Sequence, residues 1–255
     1  MENGVVIFEK EEHIGWITIN RPEVKNALNT PVFSALNDVL DLAGSDRDVR
    51  VIIVTGKGAT FVAGADVDEL RSFDSLNGWS ASRFSQSVLN KLERIGKPSL
   101  AAINGPALGG GLELALACTY RVASAEAKVG FPELSLGIIP GFGGTQRLVR
   151  CVGHAKAAEL LLTSSIITGE EALRIGLVNS VVARDHVREA ARSVARSISR
   201  VSPDAVRLTM SLLLHGQTEG FDTGLALESA LAALTLSSSE AKRLLHDFGE
   251  KKKEV

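Results

Sequence analysis

Short β-branched runs alternate with amphipathic helical stretches along the first two-thirds of the chain. VVIFEK (5–10) and IGWITIN (14–20) read as two short strands joined by a charged turn. Thr30 followed by Pro31 predicts a helix N-cap and a first-turn proline, with Val32, Leu36, Val39 and Leu40 on one face. VRVIIVTG (49–56) is a β-branched run, the signature of a strand covered on both sides. FVAGADVDEL (61–70) starts as a loop and turns helical, whereas RSFDSLNGWSASRFSQ (71–86) is polar and Gly/Ser-containing, a composition that predicts a mobile loop. KPSLAAIN (97–104) is another buried strand, and YRVASA (120–125) a further one. A helix is expected near 154–163, then a helix closed by Gly176 and a strand within 169–182.

This alternation points to an α/β architecture. After about residue 184 strand signals cease. Ser202 and Pro203 cap a helix to about 214, a longer helical stretch runs 218–236, and a charged helix covers 239–253. The expected division is a core of residues 1–195 and a helical region of residues 196–255. At 255 residues the chain can bury a sizeable core.

Composition adds mostly exclusions. With 45% hydrophobic and 23% charged residues the chain reads as an ordinary soluble protein. A net charge of -2 offers no electrostatic case for binding nucleic acid or an anionic membrane. No apolar stretch approaches the roughly 18–20 residues of a membrane span. MENGVVIFEKEE lacks the basic segment and apolar core of a signal peptide. Cys118 and Cys151 are expected to be reduced thiols in a cytoplasmic protein.

The chemistry concentrates in PALGGGLELALAC (106–118). Glu113 is its only charge, and Leu112, Leu114, Ala115, Leu116 and Ala117 surround it on every helical face. A buried carboxylate costs several kcal/mol unless it is paired, hydrogen-bonded or neutralised. Gly109–Gly111 free backbone N–H groups to approach a ligand at a helix N-terminus. A base beside such amides suits acyl chemistry, which needs a proton acceptor next to an oxyanion site. In VGFPELSLGIIPGFGGTQRL (129–148), Glu133 is a second carboxylate in an apolar setting. Pro-Glu also suits a plain helix start, with the carboxylate favoured by the dipole. Paired carboxylates in different environments divide acid and base roles.

Other chemistries fail on spacing. PGFGGTQ (140–146) puts Gln146 where G-x-G-x-x-G requires its last glycine, and GKGATF (56–61) ends on Phe61. Walker A and G-x-S-x-G sequences are absent, and the five histidines show no metal-ligand spacing, so no metal is expected.

Taken together, ITINRPEVKNALN (17–29), FVAGADVDEL, KPSLAAINGPALGGGLELALAC (97–118), FPELSLGIIPGFGGTQRLVRCVG (131–153) and ITGEEALRIGLVNSVV (167–182) resemble, in order, segments of the crotonase (enoyl-CoA hydratase/isomerase) superfamily. The resemblance implies a spiral of ββα turns with a helical C-terminal trimerisation region, often in a dimer of trimers. It implies an acyl-CoA substrate and no separate cofactor, coenzyme A being part of the substrate. By motif position, the backbone N–H groups of Ala65 and Gly110 would form the oxyanion hole. Members that hydrate 2-enoyl-CoA carry both glutamates, so Glu113 would activate water and Glu133 would protonate the α-carbon, with the Gly141 backbone orienting the water. Coenzyme A would follow Ala63, Gly64, Asp66 and Val67, with Lys25 and Ala27 near the adenine and phosphates; Asp66 equally suits a loop cap. The ending Phe248–Lys253 resembles one in which a lysine from a neighbouring subunit approaches the CoA phosphates, although a charge run at a terminus also suits plain solvation. Thr119 and Leu112 depart from the family pattern. The expected activity is reversible hydration of a 2-enoyl-CoA. The alternatives are a cyclic or dienoyl-CoA hydratase, an enoyl-CoA isomerase, and, remotely, a non-catalytic RNA- or protein-binding relative.

Overall fold

The computed structural model describes residues 4–216 and 220–251, which divide into two compact units, Met1–Ile198 and Ser199–Val255. The first unit opens with β1 (Val6–Glu11) and β2 (Ile14–Ile19), an antiparallel pair, followed by α1 (Thr30–Ser45) and β3 (Val51–Gly56). Two helices come next, α2 (Val67–Ser72) and α3 (Ser75–Arg94). Then β4 (Ser99–Ile103), β5 (Ala107–Leu108) and α4 (Gly110–Ala117) form one strand–strand–helix turn. β6 (Tyr120–Ser124), β7 (Lys128–Gly130) and α5 (Gly144–Val152) repeat it. The unit closes with α6 (His154–Leu162), β8 (Ile166–Thr168), α7 (Gly169–Arg174), β9 (Ser180–Val182) and α8 (Val187–Ser199).

The large sheet runs β1-β2-β3-β4-β6-β9, parallel from β2 onward, and a small sheet runs β5-β7-β8. This is the expected α/β class, with successive ββα turns laying one strand in each sheet. Side chains of the central strands alternate between two cores. Ile17, Ile19, Ile52, Val54, Ala101 and Ile103 join the core containing α1, α3 and α4. Ile14, Trp16, Val51, Ile53, Leu100, Ala102 and Val122 pack on the other face against Val187, Ala191 and Ala195 of α8. Both faces of β2 and β3 are covered, so polar residues do not alternate along them and their threonines, Thr18 and Thr55, are buried with the apolar residues.

Three expectations need correction. Residues 71–86 are not a loop: they end α2 and form the first part of α3. The Asp74 carboxylate caps α3 by accepting from the Asn77 N–H at 2.7 Å. Ser85, Val88, Leu89 and Leu92 then supply a narrow buried stripe, with most other positions polar. The serine-rich composition masked this period. The α1 cap is Asn29, which accepts from Val32 N–H at 3.1 Å, while Thr30 begins the helix and its N–H goes to Glu69 of α2. Ser202 does not cap with its hydroxyl, which is bonded to Glu240. The small sheet was not foreseen because its strands are two or three residues long, too short to show a period.

The second unit holds three helices, α9 (Pro203–Gly216), α10 (Phe221–Ser237) and α11 (Ser239–Lys251). Neither α9 nor α10 buries a residue, and Leu213, Phe221, Leu225, Leu234 and Leu236 are exposed. Lys252 and Lys253 of the terminal lysine run lie outside the described residues.

α4 sits against the segment 62–66 with no room for a side chain at Gly111. A Cβ there would collide with the Val62 carbonyl oxygen, itself the acceptor for Leu108 N–H at 3.0 Å. Gly111→Ala is expected to destabilise the protein by about 3 kcal/mol, the upper range for overpacking, because backbone rather than a side chain must move. Urea denaturation checks this; a loss under about 1 kcal/mol would show that α4 is free to shift.

Candidate active site

The segment between β3 and α2 is held by two isolated parallel bridges, Leu28 with Ala65 and Val62 with Ala107. In the first, Leu28 N–H donates to the Gly64 carbonyl at 2.8 Å and Asp66 N–H to the Leu28 carbonyl at 2.7 Å. This pattern turns the N–H of Ala65 itself away from Leu28. Gly110 lies close by, and its Cβ position would be 3.5 Å from the Ala65 nitrogen. Gly110 opens α4, where first-turn N–H groups have no intrahelical acceptor. Among the described residues, neither N–H has a hydrogen-bond acceptor. Two neighbouring free amides at a helix N-terminus make an anion site.

Asn26 sets the other end of this segment. It is buried at φ 60°, and its side-chain amide donates to the carbonyls of Lys57, Thr60 and Phe61. It lies within the motif ITINRPEVKNALN (17–29), which did not single it out. Its signal was an Asn placed where left-handed backbone is tolerated.

Glu113 is 1% exposed. Its Oε1 accepts from the N–H of Phe142 at 2.8 Å and of Gly144 at 2.7 Å. Gly144 begins α5, so this carboxylate lies at the N-terminus of a second helix. Burial pushes the carboxyl up to about 7. The two amides oppose that rise, the Glu133 carboxylate adds to it, and Arg147 lowers it. Glu133 starts a 3-10 turn after Pro132, and burial raises its carboxyl too. Its carboxyl rests on Gly109, at φ +50°, where any Cβ would strike Oε1. Glu133 Oε2 is buried with no partner among the described residues.

Both glutamates line one cavity of about 350 Å³ with Ala63, Gly64, Ala65, Val67, Gly110 and Gly141. Phe33, Leu70, Phe73, Ala81, Ile139 and Phe142 supply apolar walls. Lys25, Ala27 and Asp66 do not line it. Lys25 is exposed, with its carbonyl accepting from Ala63 N–H, and the Ala27 carbonyl accepts from Arg21. Asp66 caps α2 through Oδ1 and pairs with Arg21 through Oδ2 at 3.0 Å, which makes it a loop anchor. Leu112 is a core residue, and Thr119 exchanges hydrogen bonds with Ser99; neither touches the cavity. Among the described residues no cluster of side chains could hold a metal ion.

The amides of Phe142 and Gly144 escaped sequence reading, since backbone donors leave no residue signature beyond the glycines around them. Arg147 also went unread. Only 7% exposed, it donates to the Phe142 carbonyl and to Asn90, and pairs with Glu93 at 3.1 Å.

The raised Glu113 carboxyl makes stability pH-dependent. Folded Glu113 keeps its proton to a higher pH than the unfolded chain does, so the native state binds more protons between about 4.5 and 7. Stability falls as pH rises through that window, by roughly 3 kcal/mol in all. Glu113→Gln still accepts both amide hydrogen bonds and carries no charge. Urea denaturation should find the variant close to wild type at pH 4.5 and clearly more stable at pH 8. A difference independent of pH would contradict this.

The sequence model of the Enoyl-CoA hydratase/isomerase family matches residues 9–255. The chain is 41% identical over 254 residues to a short-chain-enoyl-CoA hydratase of Clostridium acetobutylicum, covering 99% of this chain and 97% of that one. It is 39% identical to a crotonyl-CoA hydratase of Syntrophomonas wolfei, covering 97% and 96%. The crystal structure of an enoyl-CoA hydratase from Bacillus anthracis superposes with a TM-score of 0.93 at 35% identity, covering 96% of each chain. By family match, by identity over nearly its full length and by fold, the chain belongs to the enoyl-CoA hydratase/isomerase family.

Proposed function

We propose that the protein is an enoyl-CoA hydratase, adding water reversibly across the 2,3 double bond of a 2-enoyl-CoA to give a 3-hydroxyacyl-CoA. The observation that carries this reading is the convergence of two buried carboxylates and two free backbone amides on one cavity. The names of the relatives from Clostridium acetobutylicum and Syntrophomonas wolfei agree with it.

In this mechanism the thioester oxygen lies between the N–H groups of Ala65 and Gly110. As charge builds there, each preorganised donor contributes about 3–4 kcal/mol to the transition state. Glu113 is the base. Its anion is held by two amides, so it is fixed in place to take a proton from water as the oxygen attacks the β-carbon. The π electrons move onto the thioester oxygen as an enolate. Glu133 is the acid: a buried oxygen without a partner suits a carboxyl that holds a proton to give to the α-carbon. One proton leaves water for Glu113 and one leaves Glu133 for carbon; solvent exchange or the reverse reaction restores the pair. Gly141 lines the cavity and its N–H has no acceptor among the described residues, which supports the role of orienting the water.

Coenzyme A, as part of the substrate, runs along Ala63–Val67 past Lys25 and Ala27, with Asp66 shaping the loop rather than meeting the ligand. No helix of the described residues is long and apolar enough to cross a membrane. A cytoplasmic enzyme is proposed, which the two free cysteines suit. The exposed leucines of α9 and α10 support assembly as a homotrimer or a dimer of trimers.

Loss of enoyl-thioester absorbance on crotonyl-CoA tests the chemistry. Glu113→Gln and Glu133→Gln are each expected to lower kcat about 10²–10⁴-fold, with KM changing far less. A near-wild-type rate in either variant would overturn the two-carboxylate mechanism, and a panel of linear, branched and cyclic substrates would reveal a different acyl preference. Light scattering should give the mass of three or six chains; a monomer would contradict the assembly.

A further inference from the structure

α3 carries a polar stripe that faces the segment holding Glu113. Ser82, Gln86, Asn90 and Glu93 recur at the three- and four-residue spacing of one helical face. Ser82 Oγ donates to the Gly141 carbonyl at 2.5 Å, and Gln86 Nε2 donates to the same oxygen at 2.9 Å. Arg83 donates to Gln86 Oε1 at 3.2 Å, which turns the amide NH₂ toward Gly141. Further along, Asn90 and Glu93 hold Arg147, which donates to the next carbonyl, that of Phe142.

The Gly141 carbonyl and the Phe142 N–H belong to one planar trans peptide, so they point in opposite directions. One end of this peptide is held by α3, and the other donates to Glu113 Oε1 at 2.8 Å. Two donors on the carbonyl fix the peptide plane and polarise it, strengthening its N–H as a donor. We propose that Ser82 and Gln86 are positioning residues for Glu113, acting through the Gly141–Phe142 peptide to hold the carboxylate in place and favour its ionised form.

This inference rests on the hydratase reading for its kinetic consequence but not for its structural one. The charged groups facing Glu113 are Glu133 from the 3-10 turn and Arg147 from α5, with Glu93 of α3 behind Arg147. Glu69 lines the same cavity from α2. None of these is altered by substitutions at Ser82 or Gln86. Weakening the relay should therefore raise the pH at which Glu113 ionises without changing the charges around it.

Two measurements on the full chain test this. The first is the pH profile of kcat/KM on crotonyl-CoA. The second is an infrared titration of the carboxyl band that Glu113→Gln removes, which needs no substrate. Ser82→Ala and Gln86→Met are each expected to shift both titrations upward by about half a pH unit, and the double variant by about one unit. At pH 7 kcat should fall several-fold and recover toward wild type at pH 9. Ser82→Thr, which keeps the hydroxyl, should hold the infrared titration at its wild-type position. If variants that fold as wild type titrate Glu113 at the wild-type pH, the relay is wrong. If the infrared titration shifts and wild type does not hydrate crotonyl-CoA, the relay stands and the hydratase reading falls.

Discussion

The structure is organised around one expensive act, the burial of the Glu113 carboxylate. An ion taken out of water must be repaid in hydrogen bonds, and every available donor here comes from backbone. The Phe142 and Gly144 amides answer that demand, and α5 adds the positive end of its dipole. The repayment is incomplete, which leaves the carboxyl titrating near neutrality, where a general base works best. Stability is thus given up at Glu113, the position proposed above as the base.

That constraint propagates outward. Holding two amides on one carboxylate oxygen fixes the 141–144 segment, and the segment is fixed in turn by α3 and by Arg147. Glu133 can approach only because Gly109 lacks a side chain, and α4 can approach residues 62–66 only because Gly111 does. The parallel bridges at Val62 and Ala65 then hold the Ala65 amide close to Gly110. The two free amides, Glu113 and Glu133 come together on one cavity because α4 packs so closely on its neighbours.

Much of this was legible in the sequence where a side chain carried the information. The β-branched run at 49–56 marked β3 as a strand covered on both faces and 97–104 marked β4 as a buried strand, and α8 is the layer covering the second face. Glu113 stood out as a lone charge in an apolar helix, and Glu133 as its likeness after Pro132. What stayed hidden was carried by backbone or by weak periodicity. The amides of Phe142 and Gly144 have no residue code, and the small sheet is too short to pattern. The polar, serine-containing stretch 71–86 carries little helical signal, because the apolar stripe of α3 (Val88, Leu89, Leu92) lies almost wholly beyond it. Asp66 divides between the two readings: its place in the motif pointed to the ligand, while its cap and its Arg21 partner make it an anchor.

The central proposal is that water adds across a CoA-activated double bond, Glu113 taking its proton and Glu133 protonating the α-carbon. Incubating the protein with crotonyl-CoA in water enriched in ¹⁸O and deuterium, and analysing the thioester by mass spectrometry and NMR, tests it most directly. The account requires one labelled oxygen at the β-carbon and, at first turnover, one deuterium at the α-carbon. Recovery of an unhydrated product with a displaced double bond, or of unlabelled starting material, would contradict it.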